Sequence, residues 1–227
     1  MPDKLSMMLT TDGSHTLVNE RLAESYHSRH GALQESRHVY INEGLNHYLA
    51  THPESVKIFE MGLGTGLNLI LTIEVALAYP NVSFAYTALD SQPLEWPLLK
   101  QLNYTSLMDS DNISELFKKI HLAQWNNEFN ILPNFKITKI NSEIESYNFD
   151  DTHYDIIYYD AFAPNKQPEL WGYNVMQHLY GTLVKYGIFV TYCSKGQLKR
   201  DLKTLGFKIE SPPGPPGKAQ IIRATKL

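Results

Sequence analysis

Residues 60–68 read Glu60-Met61-Gly62-Leu63-Gly64-Thr65-Gly66-Leu67-Asn68, and what flanks them decides the fold. Residues 55–60 before them read as a buried strand. Residues 68–78 after them carry the apolar spacing of a helix, which Pro80 stops. A glycine-rich turn between a strand and a helix lets the backbone bend sharply and lets a ligand approach the main chain closely.

Working outward, strand and helix signals alternate. Further strands are expected at 82–89, 135–140, 154–159 (YDIIYY), 188–193, 207–211 and 221–225, and helices at 96–104, 113–123, 169–186 and 198–205. Alternation of this kind implies a parallel α/β sheet with right-handed crossovers. Only the loop SPPGPPGKAQ (211–220) separates the last two strands, so these should be antiparallel. The expected fold is Rossmann-like, a mostly parallel seven-stranded sheet closed by a C-terminal antiparallel hairpin. That is the architecture of class I S-adenosylmethionine (SAM)-dependent methyltransferases. Residues 1–50 precede the first core strand. They are expected to form an N-terminal appendage packing over the cofactor cleft, with 51–227 as the main domain.

The 227 residues include 43% apolar and 19% charged side chains, enough for a packed core and unlike a disordered chain. The formal charge is −4, whereas a protein that coats nucleic acid non-specifically is usually basic. The charge is unevenly spread: residues 195–227 hold eight Lys/Arg against two acids, a balance of +6 that leaves −10 for the rest. Such a basic end on an acidic body suggests a face that meets an anion. The single cysteine, Cys193, excludes an internal disulfide and a Cys-based zinc cage. It reads as a buried thiol. Nine histidines show no metal-ligand spacing, and Ser194 lies in no G-x-S-x-G elbow, so neither a metal site nor a serine hydrolase is expected. The start, Met1-Pro2-Asp3-Lys4, lacks a signal-peptide layout, and the most apolar run, 67–79, is too short for a membrane span. A cytoplasmic protein is expected.

The glycine spacing distinguishes ligands. A dinucleotide site wants G-x-G-x-x-G, but here the pattern is G-x-G-x-G and Leu67 holds the third position. Glu60 sets a carboxylate just before the loop, where it would repel a pyrophosphate and suit the cationic amino-acid end of SAM. Gly62, Gly64, Gly66 and Asn68 complete that loop. Asp90 ends the second strand, 24 residues after Gly66, where an acid can accept two ribose hydroxyl bonds. Asn141, Ser142 or Glu143, after the third strand, can meet an adenine amine or simply cap a helix. Asp160 follows YDIIYY directly and sits where it could orient an amine and take up its proton.

Four strings carry a resemblance: GLGTGLN, DAFAPNKQPELW, TYCSKGQLKRDLKTLGF and GPPGKAQIIRATK. With residues 26–41 they resemble the methyltransferase half of the bacterial bifunctional tRNA 5-methylaminomethyl-2-thiouridine biosynthesis proteins of the MnmC type. The resemblance covers roughly residues 20–226. It implies an N-methyltransferase that uses SAM to convert 5-aminomethyl-(2-thio)uridine at the tRNA wobble position to its methylaminomethyl form. It further implies that Glu60, Gly62, Gly64, Gly66 and Asn68 form the SAM loop, that Asp90 is the ribose acid, and that Asp160 stands beside the methyl group. Phe162, Pro164 and Trp171 would shape the substrate pocket, with Phe162 and Trp171 stacking on the wobble base. Lys195 and Lys218 would meet phosphates of the tRNA anticodon loop. Relatives tend to have Asp where this chain has Asn141-Ser142-Glu143, and Arg-Glu where it has Ala219-Gln220. A second glycine fingerprint is lacking, so neither FAD nor a fused oxidase half is expected, and the substrate would come from another route. The competing expectations are a small-amine methyltransferase, a spermidine synthase-like aminopropyltransferase, and a binding module that kept the fold.

Overall fold

The computed structural model describes residues 4–149 and 153–227; Met1–Asp3, where the signal-peptide reading fell, lie outside the described residues. The main sheet has eight strands in the order Phe207–Glu210, Ile222–Lys226, Leu183–Thr191, Tyr154–Tyr159, Ser55–Met61, Ser83–Asp90, Phe135–Asn141 and Glu128–Leu132, which in chain numbering is β10-β11-β9-β8-β4-β5-β7-β6. Its parallel centre is β4 (Ser55–Met61), β5 (Ser83–Asp90), β7 (Phe135–Asn141), β8 (Tyr154–Tyr159) and β9 (Leu183–Thr191). The chain runs from β4 out to β5 and β7, then returns to the other side of β4 with β8. That reversal leaves a crevice beyond the carboxyl ends of β4, β5 and β8, the place where open α/β sheets bind ligands. YDIIYY suits β8 because Ile156, Ile157, Tyr158 and Tyr159 are buried on both faces. The helix Leu67–Leu77 is buried through most of its length beside the sheet.

The sheet exceeds the expected seven strands by one. Glu128–Leu132 forms β6, an edge strand antiparallel to β7, and Leu132 pairs with Phe135 across Pro133-Asn134. β10 (Phe207–Glu210) and β11 (Ile222–Lys226) form the antiparallel end, with β11 also antiparallel to β9. The expected helix over 169–186 is shorter: a turn at Pro168–Trp171, then Tyr173–Thr182. Leu183 already pairs with Tyr154 in β9, and a register shift with Tyr186 at φ 66° absorbs the residues before Ile188 pairs with Ile156. The stretch expected as a helix over 96–104 is helical only at Trp96–Leu99.

Residues 4–50 make a separate three-stranded sheet, β1 (Leu5–Leu9), β2 (His15–Asn19) and β3 (Glu24–Ser25), followed by helical residues 32–49. The middle of that helical run, Arg37–Asn46, is wound as a π-helix. Its Val39, Tyr40, Ile41 and Leu45 are buried in the main core. No helix among the described residues is long and apolar enough to cross a membrane.

Candidate active site

The glycine turn closes on itself. Gly62, Gly64 and Gly66 all have positive φ (89°, 51° and 74°), conformations that a side chain resists. A Cβ on Gly62 would lie 2.8 Å from the Asp160 carbonyl oxygen, and one on Gly66 2.8 Å from the His121 ring. The three amides are spent inside the fold: Gly62 N–H donates to Leu89 O at 2.9 Å, Gly64 N–H to Asp90 Oδ2 at 2.8 Å, and Gly66 N–H to Leu63 O at 2.8 Å. A pyrophosphate would need such amides; this turn has none of the three to give.

Beyond the turn lies a cavity of about 250 Å³. Its floor is residues 61–65. One side is Leu89 to Gln92, the other Asp160 to Phe162 with Gln167, Leu170 and Tyr192. Residues 24–28 and Glu35 come over from the N-terminal region, and Lys218 from the loop between β10 and β11. Tyr26 and Phe162 meet edge to face with ring centroids 4.9 Å apart.

Asp160 follows the last residue of β8. Its Oδ1 accepts from Tyr40 O–H at 2.6 Å and its Oδ2 from Asn68 Nδ2 at 2.8 Å. Desolvation pushes its carboxyl up to about 7, while the Tyr40 and Asn68 hydrogen bonds and the Lys218 charge hold it from going higher. Asp90, the last residue of β5, accepts from Gly64 N–H and, through Oδ1, from Gln92 N–H at 2.8 Å. Desolvation raises it too, and the two amides pull it back. An ionised carboxylate has roughly four acceptor positions, so Asp90 keeps capacity for hydroxyl donors.

Glu60 is placed otherwise than the expectation of a cation ligand requires. It is 0% exposed and outside the cavity wall, and its Oε1 accepts from Asn68 Nδ2 at 3.0 Å. β4 turns that side chain into the core, and burial holds its carboxyl well above the usual range. Asn68 and Gly66 also lie beneath the cavity rather than in its wall, Asn68 as the strut between Glu60 and Asp160. Asn141 and Ser142 do not line it either. The Asn141 amide is tied to Asn126 Oδ1 at 3.0 Å, and the Ser142 hydroxyl donates to the Glu143 carbonyl at 2.9 Å. Of the expected substrate contacts, Phe162 and Lys218 line the cavity; Pro164, Trp171 and Lys195 do not. Trp171 is 7% exposed, packs edge-on against Tyr159, and donates its indole N–H to Phe162 O at 2.8 Å. It props the loop from below and has no free face for a base. Lys195 is exposed at the start of the helix Gly196–Leu205.

Sequence reasoning assigned no role to Tyr26, His27, Glu35, Tyr40 or Tyr192. His27 is buried, its Nδ1 3.2 Å from Thr16 Oγ1 and its Nε2 3.5 Å from Thr65 Oγ1; burial pushes it down to about 4, so it is neutral. Glu35 Oε2 accepts from Ser28 N–H at 2.7 Å and its Oε1 meets Lys218 Nζ at 2.5 Å. His38 Nε2 lies 2.7 Å from Pro213 O, so the N-terminal helical run also grips the loop that carries Lys218.

Among the described residues the wall thus offers four carboxylates (Glu24, Glu35, Asp90, Asp160), one lysine and a neutral histidine. A nucleoside carrying a cationic centre fits this set; a pyrophosphate does not. A family model described as S-adenosyl-L-methionine-dependent methyltransferase matches residues 110–227, just over half of the chain. The chain belongs to this methyltransferase family. The match includes Asp160 and Lys218 but not the glycine turn or Asp90, so those two add independent support for SAM as the methyl donor.

Relatives of this methyltransferase are long. It is 25% identical over 203 residues to the tRNA 5-methylaminomethyl-2-thiouridine biosynthesis bifunctional protein MnmC of Methylobacillus flagellatus, covering 83% of this chain and 30% of that protein. The protein of that name from Leptospira interrogans is 27% identical over 228 residues, covering 91% of this chain and 33% of the relative. The chain therefore spans about a third of the length of the curated relatives it matches. Among solved structures, MnmC2 of Aquifex aeolicus superposes with a TM-score of 0.80 at 23% identity, over 98% of this chain and 70% of that one. This supports the class I methyltransferase fold.

Proposed function

We propose that this methyltransferase transfers a methyl group to the aminomethyl nitrogen of a modified uridine at the wobble position of tRNA. The observation that carries the reading is Asp160, a carboxylate at the crevice with a pKa of about 7, gripped by Tyr40 and Asn68. The names of the relatives, which concern methylaminomethyl-uridine biosynthesis in tRNA, supply the substrate.

When bound, SAM supplies an electrophilic methyl group on a sulfonium. The chain's own task is to present a neutral amine. An alkylammonium has a pKa near ~10, like a lysine. Asp160 Oδ accepts a hydrogen bond from that ammonium, orients it, and takes its proton directly or through water. The gap between about 10 and about 7 corresponds to roughly 4 kcal/mol, small enough for a proton transfer that precedes the methyl step. Tyr40 and Asn68 fix both oxygens, so the acceptor geometry is set before the amine arrives. Asp90 would hold the ribose of the donor, and Gly62 and Gly64 would leave room for it beside the main chain.

An anticodon base can be splayed out of its loop and stacked on an aromatic ring. Phe162, steadied by Tyr26, is the stacking partner in this reading. The exposed Lys195, Arg200 and Lys203 at and along the helix Gly196–Leu205 meet tRNA phosphates. The described part of the 1–50 appendage serves as a wall that closes the cleft of the domain at 51–227. A tRNA substrate makes the protein cytoplasmic.

The test is methyl transfer from labelled SAM to two tRNA pools, one carrying 5-aminomethyl-2-thiouridine and one an unmodified transcript. Label in the first pool alone, abolished by Asp160→Ala, is the expected result. Label in neither pool, with SAM still bound, overturns the tRNA reading and directs attention to small amines.

A further inference from the structure

Stacking alone holds any base, because every base presents a π-face. Telling one base from another takes hydrogen bonds to its edge. Two carboxamides line the cavity, Gln92 on the Asp90 side and Gln167 on the Asp160 side. Neither carboxamide has a hydrogen-bond partner among the described residues. Gln92 is exposed; Gln167 is half-buried, five residues after Phe162 on the loop that follows β8. That loop is pinned. Gln167 N–H donates to Ala163 O at 3.1 Å, and Leu170 N–H to Gln167 O at 3.2 Å. Lys166 Nζ donates to Leu22 O at 2.6 Å, and the Trp171 indole to Phe162 O. Elsewhere in the wall the Tyr192 hydroxyl donates to Ala161 O and the Ser25 hydroxyl to His27 O at 2.7 Å, while Glu24, as a carboxylate, can only accept. The Gln167 backbone is thus fixed while its side chain keeps both donor and acceptor for a ligand.

We infer that Gln167 reads the O4 and N3–H edge of the uracil ring, so that the base as well as its amine is a condition of methyl transfer. The inference rests on the wobble-uridine reading and deepens it. A C5 aminomethyl group neighbours C4 on the ring. An amine held at Asp160 therefore brings O4 beside it, with N3–H one position further along the same edge. A carboxamide is the complement of that pair: Nε2–H donates to O4, and Oε1 accepts from N3–H. Both bonds lie in the plane of the ring, which leaves its face to Phe162. A free small amine offers no such edge.

The experiment measures methyl transfer to tRNA carrying 5-aminomethyluridine at the wobble position, or its N3-methyl derivative. The enzymes are the wild-type chain, Gln167→Ala and Gln167→Glu. Gln167→Ala should raise KM for the first tRNA by about tenfold, with kcat within about threefold and SAM binding unchanged by calorimetry. Gln167→Glu, which has no donor for O4, should raise it at least as far. N3-methylation should lower kcat/KM of the wild type by about tenfold and that of Gln167→Ala by no more than about twofold, because the contact is already gone. An unchanged KM in both variants overturns the inference. So does an equal N3-methyl loss in the wild type and in a Gln167→Ala chain that melts like it. A wild-type chain that binds SAM but methylates neither tRNA overturns the wobble-uridine reading itself, and the role of Gln167 with it.

Discussion

Asp90 and Asp160 stand on opposite sides of β4, at the carboxyl ends of β5 and β8, and they are held in opposite ways. Backbone amides of Gly64 and Gln92 grip Asp90. Side chains of Tyr40 and Asn68 grip Asp160. Desolvation raises both, but only Asp160 is carried to about 7. Amides belong to the turn itself and cannot swing away, so Asp90 is a fixed acceptor suited to neutral hydroxyls. The donors to Asp160 come from distant segments, so its proton affinity depends on how the N-terminal helical run docks. In the proposed mechanism Asp90 is the binding acid and Asp160 the proton acceptor.

The sharpest way to break this contrast is Asp160→Asn. Methyl transfer should fall by about 10³-fold, with SAM binding within a few-fold by calorimetry; a comparable loss of binding would make Asp160 a mere binding group. Asp90→Ala should do the reverse, weakening SAM by about ten- to a hundredfold and leaving the pH profile of the bound complex in place. Tyr40→Phe sharpens the comparison further. It removes a hydrogen bond to the ionised carboxylate, so the pKa of Asp160 should rise. In the wild type the rate under saturating SAM should climb with pH through about 7; in Tyr40→Phe that rise should move upward by about one pH unit. An unmoved profile would separate the titration from Asp160.

The smallest effect concerns stability. The folded pKa of Asp160 lies above the 3.8 of a free aspartate, so the fold holds a proton that the unfolded chain has released. Stability is therefore lost as pH rises from about 4 through about 7, and the loss is complete above that. Asp160→Asn lacks this dependence. Urea denaturation at pH 5 and pH 8 should show a smaller decline for the variant than for wild type; equal declines would place the raised pKa elsewhere.

Much of this was legible in the sequence because strand, glycine turn and helix adjoin one another. Glycine spacing, the acid ending β5 and the acid after β8 are local facts, and the parallel sheet follows from alternation. Residues whose placement depends on distant packing were not legible. Tyr40 and Glu35 lie in a helical run whose direction is set by burying Val39, Ile41 and Leu45. Glu60 looked like a ligand because it precedes the turn, yet strand pleat turns it inward. Trp171 looked like a stacking platform, yet its ring is packed against Tyr159. β6 was missed although Pro133-Asn134 separates two short runs, a usable hairpin signal.

The grip between Glu35 and Lys218 spans 183 residues of sequence. Loop closure over that distance is costly and long-range contacts form slowly. The sheet can assemble from neighbouring crossovers while the cavity still lacks a side. Ligand competence is therefore expected late in folding. On refolding, binding of a fluorescent SAM analogue should lag behind the recovery of secondary structure.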